Sequence, residues 1–249
     1  MKKIFTKIAF VAMLCLSFMA QSQQDKAFPL YEMRVYYAAE GKLETLLTRF
    51  RDHTTKLFEK HGMKNIGYWL PIDNKENKLV YILSYPNKEA RDFSWKSFGA
   101  DPTWKAVQSA SEANGKIVAK VESTFMKETD FSNSDFSKVG NRVFELRTYK
   151  TSPYNLGLLL ARFRNHTLGL FTKYGMTNLS YFTQVDNDNT LIYLLAHKSK
   201  EAGLASFDAF RVDKDWVAAR TASELLGKGS LTTSVVSEYL VPTDFSTWK

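Results

Sequence analysis

A chain of 249 residues with 44% hydrophobic, 14% aromatic and 24% charged positions holds one large or two ordinary domains, each with its own core. That composition excludes collagen-like, coiled-coil and wholly disordered readings. The formal charge is +8, but Lys2, Lys3 and Lys7 belong to an N-terminal leader, and the remaining Lys and Arg alternate with Asp and Glu instead of clustering, so no nucleic-acid partner is expected.

The first element in chain order is the leader. Met1 to Lys7 is short and basic, Ile8 to Met19 is an apolar run too short to span a bilayer, and Ala20 and Ser22 suit the minus-three and minus-one positions of a signal peptidase site. Residues 1–22 therefore read as a cleaved signal peptide, with the mature chain beginning near Gln23 and exported to the periplasm or beyond. The sole cysteine, Cys15, lies in the apolar core of the leader, and the bulky Leu14 before it argues against lipidation. The mature chain is then without a disulfide, a thiol nucleophile or a Cys-based metal site. No second apolar run is long enough for a stable membrane anchor, so a soluble protein is expected.

After the leader the chain repeats itself. With an offset of 113, 20 of 44 positions from Tyr31 to Asn74 are identical, most densely where Arg49-Phe50-Arg51-Asp52-His53-Thr54 meets Arg162-Phe163-Arg164-Asn165-His166-Thr167. Further on, Leu79, Tyr81, Leu83, Phe98, Asp101 and Trp104 recur as Leu191, Tyr193, Leu195, Phe210, Asp213 and Trp216, and Thr129-Asp130-Phe131-Ser132 recurs as Thr243-Asp244-Phe245-Ser246. The organisation reads as repeat 1 over 29–128, a linker over 129–141 whose centre is rich in Ser and Asn, and repeat 2 over 142–242.

Within repeat 1, Leu30 to Tyr37 alternates as a strand, and Lys42 to Lys60 carries Leu43, Leu46, Leu47, Phe50, Leu57 and Phe58 at helical spacing, with Gly62 as its cap. Met63 to Ile72 and Leu79 to Tyr85 form a hairpin around Asp73-Asn74-Lys75-Glu76-Asn77. Lys88 to Asn114 is helical and restarts at Asp101-Pro102, and Lys116 to Met126 closes the unit. The order βαββαβ, twice, gives an α+β fold: two tandem ferredoxin-like units forming an intramolecular, pseudo-dimeric α/β barrel. Further oligomerisation stays open.

Alternation on the first strand puts Glu32, Arg34 and Tyr36 on one face and Tyr31, Met33 and Val35 on the other. With the apolar set assigned to the helices, Glu32, Arg34, Tyr36 and their counterparts Glu145, Arg147 and Tyr149 are expected in the space between the two sheets, either as an ion-pair ladder that fixes register or as contacts to a small-molecule ligand. His53 and His166 are further candidates, either as hydrogen-bonded boundary residues or as general bases or metal ligands. His61 and His197, replaced by Tyr174 and Tyr85 in the other copy, read as surface or packing residues, and Trp69 and Trp104 as core. There is no Gly-rich phosphate loop, metal helix or nucleophile elbow, so no cofactor, no metal and no catalytic residue is assigned.

The motifs Tyr-Glu-Met-Arg-Val-Tyr from Tyr31, Arg-Phe-Arg-Asp-His-Thr from Arg49, Phe-Glu-Lys-His-Gly-Met-Lys-Asn-Ile-Gly-Tyr-Trp from Phe58 and Asp-Pro-Thr-Trp from Asp101 together resemble the NIPSNAP domain. The resemblance covers nearly the whole mature chain, twice, and implies membership of the dimeric α/β-barrel group, which includes haem-degrading and cofactor-free monooxygenases, peroxidases and isomerases. The second copy departs at Thr148, Ser180 and Lys214-Asp215. Three functions follow as expectations. The first is an exported binding module in which Arg34 and Arg147 hold an anionic group and Tyr36 and Tyr149 donate. The second is a cofactor-free enzyme, monooxygenase- or isomerase-like, that relies on Glu32 or His53. The third is a module for a protein partner.

Overall fold

Leu30–Ala38 (β1) alternates Tyr31, Met33 and Val35 with Glu32, Arg34 and Tyr36, and both sets are buried or half-buried, so the strand is covered on both sides. It pairs antiparallel with Lys78–Tyr85 (β3) on one edge and with Val118–Glu128 (β4) on the other. Lys64–Pro71 (β2) completes the first four strands beside β3. The computed structural model describes residues 29–133 and 142–249; the expected signal peptide at 1–22, Cys15, the expected start at Gln23 and residues 134–141 of the expected linker lie outside the described residues.

The first helical stretch comprises Leu43–Arg49 (α1), a single π-helical turn at Phe50–Thr54, and Thr55–Lys60 (α2). The π turn inserts one residue into the ladder and covers the freed carbonyl: Thr54 Oγ1 donates to the Arg49 carbonyl at 3.0 Å. Gly62, at φ +78°, ends the helix in the left-handed region that favours glycine. Two more helices follow, Lys88–Ala100 (α3) and Pro102–Ser111 (α4). The Asp101 side chain caps α4 at the Thr103 N–H while accepting from Lys60 and His61 at 2.7 and 2.8 Å, which ties the end of α2 to the start of α4.

The second unit repeats this order: Val143–Thr151 (β5), Leu156–Arg162 (α5), a π turn at Phe163–Thr167, Leu168–Lys173 (α6), Thr177–Gln184 (β6), Thr190–His197 (β7), Lys200–Arg211 (α7), Lys214–Leu226 (α8) and Thr232–Pro242 (β8). The strands close into one barrel in the order β1-β3-β2-β8-β5-β7-β6-β4. Two seams join the units. At one, Trp69, Leu70 and Pro71 of β2 face Pro242, Val241 and Leu240 of β8; at the other, Met126, Lys127 and Glu128 of β4 face Gln184, Thr183 and Phe182 of β6.

The barrel interior is an apolar core drawn from both units, including Tyr31, Met33, Val80, Ile82, Met126, Phe144, Leu146, Phe182, Ile192 and Leu240, with Trp69 packed on Phe144 and on Trp248. Two further cores fill the layers between helices and strands, one per unit. The alternation expected for β1 is therefore present with its faces exchanged: Tyr31, Met33 and Val35 line the barrel, whereas Glu32, Arg34 and Tyr36 lie beneath the helices, as do Glu145, Arg147 and Tyr149. The physical reason is that the polar partners stand on the helix side, Arg91 and Trp95 of α3 for Glu32 and Ser237 and His197 of the flanking strands for Glu145, while the interior of the closed barrel takes the uncharged set.

Each unit also lends its tail to the other. After β4, Asp130 accepts both Arg164 hydrogen bonds at 2.6 and 2.8 Å, Phe131 packs on Tyr181, and the Tyr181 N–H donates to Ser132 Oγ. After β8, Asp244 accepts from Arg51 at 2.6 and 2.9 Å, Phe245 packs on Tyr68, and the Tyr68 N–H donates to Ser246 Oγ.

Candidate functional site

Glu32 is fully buried and saturated with donors. Arg91 of α3 reaches it through Nη2 at 2.7 Å and Nε at 2.9 Å, Ser123 of β4 at 2.7 Å, Tyr85 at 3.1 Å and the Trp95 indole at 3.3 Å, and Arg34 adds a further charged hydrogen bond. Burial alone would raise its carboxyl pKa. The Arg91 hydrogen bonds, the Arg34 charge and the Ser123 hydroxyl outweigh that and bring it down to about 2. Arg34 in turn donates to Tyr81 at 3.1 Å and lies 4.3 Å from the Trp95 ring centroid. The first pair is thus an ion-pair ladder holding α3 on the sheet.

The second unit holds the equivalent carboxylate differently. Glu145, also fully buried, accepts from Arg147, from Ser237 and from His197 Nε2 at 2.8 Å. Burial opposes ionisation here too, and the His197, Arg147 and Ser237 contacts overcome it, so its pKa is lowered. His197 stands where repeat 1 has Tyr85, Tyr239 where it has Phe125, and Gly203 where it has Arg91. A Cβ on Gly203 would come within 2.9 Å of Tyr239 Oη and 3.0 Å of the His197 ring, so the glycine is what makes room for that exchange. His197, read from sequence as a surface or packing residue, is instead a buried partner of Glu145.

Beyond each ladder, between helices and sheet, lies a cavity, and the two are built from equivalent positions. The first, about 450 Å³, is walled by Tyr36, Phe50, Phe58, Trp95, Phe98 and Trp104; Arg49 and Glu112 form its floor and Gln108 and Lys116 stand at its mouth. Arg49 donates to Glu112 at 3.0 Å and to Ser111 at 3.2 Å, and its guanidinium lies 5.1 Å from the Trp104 ring centroid. The second, about 250 Å³, has Tyr149, Phe163, Phe171, Phe207, Phe210 and Trp216 on its walls, with Arg147, Arg162, Arg211, Arg220 and Glu224 as its charged lining. The π turn is the local reason for this layout, because it turns two consecutive residues inward: Arg49 and Phe50 are both buried, as are Arg162 and Phe163.

Of the residues singled out from the sequence, Tyr36, Arg147 and Tyr149 line these cavities, while Glu32, Arg34 and Glu145 form the ladders beside them. His53 and His166 are exposed on the outer helix face. His166 borders a separate open groove between α5, α6 and α8, and neither histidine joins the cavity lining. The residues missed were Arg49, Arg162, Trp95, Trp104 and Trp216 as cavity residues and Arg91 as a ladder residue. The repeated Arg-Phe-Arg block carried a usable signal for the first two, since an Arg directly before an inward Phe falls beside the apolar stripe. Among the described residues no group of three or more His, Cys, Asp or Glu is placed to hold a metal ion.

A family profile described as NIPSNAP matches residues 31–133 and again 144–247. Among solved structures, the chain is similar to a "putative monooxygenase" from Lactobacillus acidophilus NCFM (14% identity over 86% of this chain and 94% of that one, TM-score 0.54). It is similar to another "putative monooxygenase", from Fusobacterium nucleatum subsp. nucleatum ATCC 25586 (13% identity, 90% and 99% covered, TM-score 0.56), and to an anthrone oxidase-like protein (10% identity, 88% and 92% covered, TM-score 0.53). At these identities the likeness is one of fold. Comparison with curated proteins gives no match.

Proposed function

The chain belongs to the NIPSNAP family, and from that premise we propose that it binds a small, flat aromatic molecule in the cavity of its first unit, after export directed by the leader at residues 1–22. One observation carries the reading. Trp95 and Trp104 stand among four other ring-bearing side chains around space for a ligand, and the one buried cation there, Arg49, already has Glu112 for a partner. A site with its charge satisfied and its walls aromatic rewards planar apolar surface, with Gln108 and Lys116 at the mouth available to a polar substituent. No helix among the described residues is long and apolar enough to cross a membrane, which suits a mature protein free of an anchor.

The test is native mass spectrometry of the mature protein purified gently from an exporting host. A retained small molecule that is lost in Trp104→Ala supports the reading. A clean apoprotein mass together with tryptophan emission that a panel of monocyclic aromatics leaves unchanged would sink it. Sequencing of the mature N-terminus checks export, with Gln23 expected first.

A cofactor-free oxygenase or isomerase is the second reading, favoured by the fold shared with the two "putative monooxygenase" structures. It requires a group that moves a proton at the cavity. Glu32 does not suit that task, because its donors hold it ionised, and His53 lies on the outer helix face. Binding therefore takes precedence over catalysis.

A further inference from the structure

The two cavities occupy equivalent positions but differ in charge, and the difference centres on a buried arginine. In the first unit Arg49, 5% exposed, is neutralised by Glu112. In the second, Arg162 is 6% exposed and no carboxylate hydrogen-bonds to it: its Nη1 donates to Ser223 Oγ at 3.2 Å, and its Nε, like that of Arg49, has no partner. The glutamate equivalent to Glu112, Glu224, is taken instead by Arg220, whose Nε donates to it at 3.1 Å. Arg220 stands where the first unit has Gln108 and Arg211 where it has Gly99, while Ser230 replaces Lys116, so the mouth of the second cavity carries two guanidinium groups, paired with Glu224 and Asp208, where the first has one ammonium. A buried guanidinium whose nearest carboxylate is held by another arginine is under-compensated and favours an incoming anion. Here burial pulls the Arg162 pKa below its ordinary value.

We propose that the second cavity is an anion site, taking a small organic carboxylate whose charge meets Arg162 and Arg220 and whose apolar body packs against Trp216. A carboxylate accepts charge-assisted hydrogen bonds from guanidinium groups and supplies the counterion that Glu112 provides in the other unit. The volume of about 250 Å³ fits a monocyclic acid, and the ring walls favour a molecule with an apolar body over a bare inorganic ion. This goes beyond the reading of the first cavity and stands whether or not that cavity is filled.

The experiment is calorimetric titration of the mature protein with sodium benzoate, with benzamide as the neutral isostere and inorganic phosphate as the bare anion. Benzoate is expected to bind at least tenfold more tightly than either. With Trp104→Ala present throughout to remove the first cavity's contribution, benzoate binding is expected to persist, and restoring the first unit's residues by adding Arg211→Gly and Arg220→Gln, both at exposed positions, is expected to weaken it at least tenfold. Equal affinity for benzoate and benzamide, phosphate binding as tight as benzoate, or benzoate binding as before once both arginines are replaced would each overturn the proposal. Loss of benzoate in Trp104→Ala alone would place the acid in the first cavity and overturn it as well.

Discussion

At the scale of single residues, the two buried glutamates show that one problem has two solutions in one chain. Glu32 relies on Arg91, Tyr85 and Trp95; Glu145 relies on His197, with Gly203 clearing the space. Arg91→Gly leaves Glu32 with Arg34 as its one cationic partner, and the cost expected for losing hydrogen bonds to a charged group is about 1.5–3 kcal/mol, read as a fall in the urea midpoint. Adding Tyr85→His and Phe125→Tyr installs the second unit's set, and part of that loss should return, so the three changes should be strongly non-additive. The lowered pKa of Glu32 gives a second check. Its ordinary value is 4.5 and its folded value about 2, so the stabilisation it provides is present in full above pH 4.5 and is lost as pH falls towards 2. Glu32→Gln should start less stable and show a shallower decline across that window in acid titrations followed by circular dichroism. None of this was legible in the local pattern. Alternation on β1 separates Glu32, Arg34 and Tyr36 from Tyr31, Met33 and Val35, but it does not say which face meets the helices; that is decided by Arg91 and Trp95, some sixty residues away.

At the scale of elements, the π turns matter more than their length suggests. The three- and four-residue spacing from Leu43 to Phe58 reads as one continuous helix, and it is one except at Phe50–Thr54, where an inserted residue lets Arg49 and Phe50 both face the cavity. Spacing cannot reveal such a turn, because the apolar stripe resumes in phase at Leu57. The hydroxyls of Thr54 and Thr167 satisfy the Arg49 and Arg162 carbonyls that the widened ladder leaves short of a donor. Thr54→Val keeps the shape and removes that donor, so a loss of about 1 kcal/mol is expected. Amide exchange in the Phe50–Leu57 stretch should quicken, with the strands unaffected. Strand and helix order, the Gly62 cap and the Asp101 cap were all readable, since each depends on neighbours in sequence.

At the scale of the whole molecule, the halves share one core and exchange tails, which makes them one cooperative unit. The barrel core mixes Met33, Ile82 and Met126 with Leu146, Ile192 and Leu240, so neither half retains a sealed interior alone. Calorimetry should show a single unfolding transition with matching calorimetric and van't Hoff enthalpies, although the sequence reads as two domains. A chain ending at Pro242 loses Asp244, Phe245 and Ser246 from Arg51 and Tyr68, and its melting temperature should fall by several degrees even though the removed segment adds no strand. The repeat made the closed barrel foreseeable. The tail exchange was not, because a recurrent Thr-Asp-Phe-Ser says that each tail has a dock without saying in which half.

That exchange of tails sets an order of events during synthesis. Ser246, which accepts from the Tyr68 amide, follows it by 178 residues, so the first unit waits with its Arg51 and Tyr68 sites open until that much more chain has been made. For Asp130 the delay is shorter, because Arg164 follows it by 34 residues. The first half is therefore the more exposed to proteases and to misassembly while the nascent chain grows, and a truncation just after β8 should leave a product that closes all eight strands but opens more readily on the Arg51 and Tyr68 side.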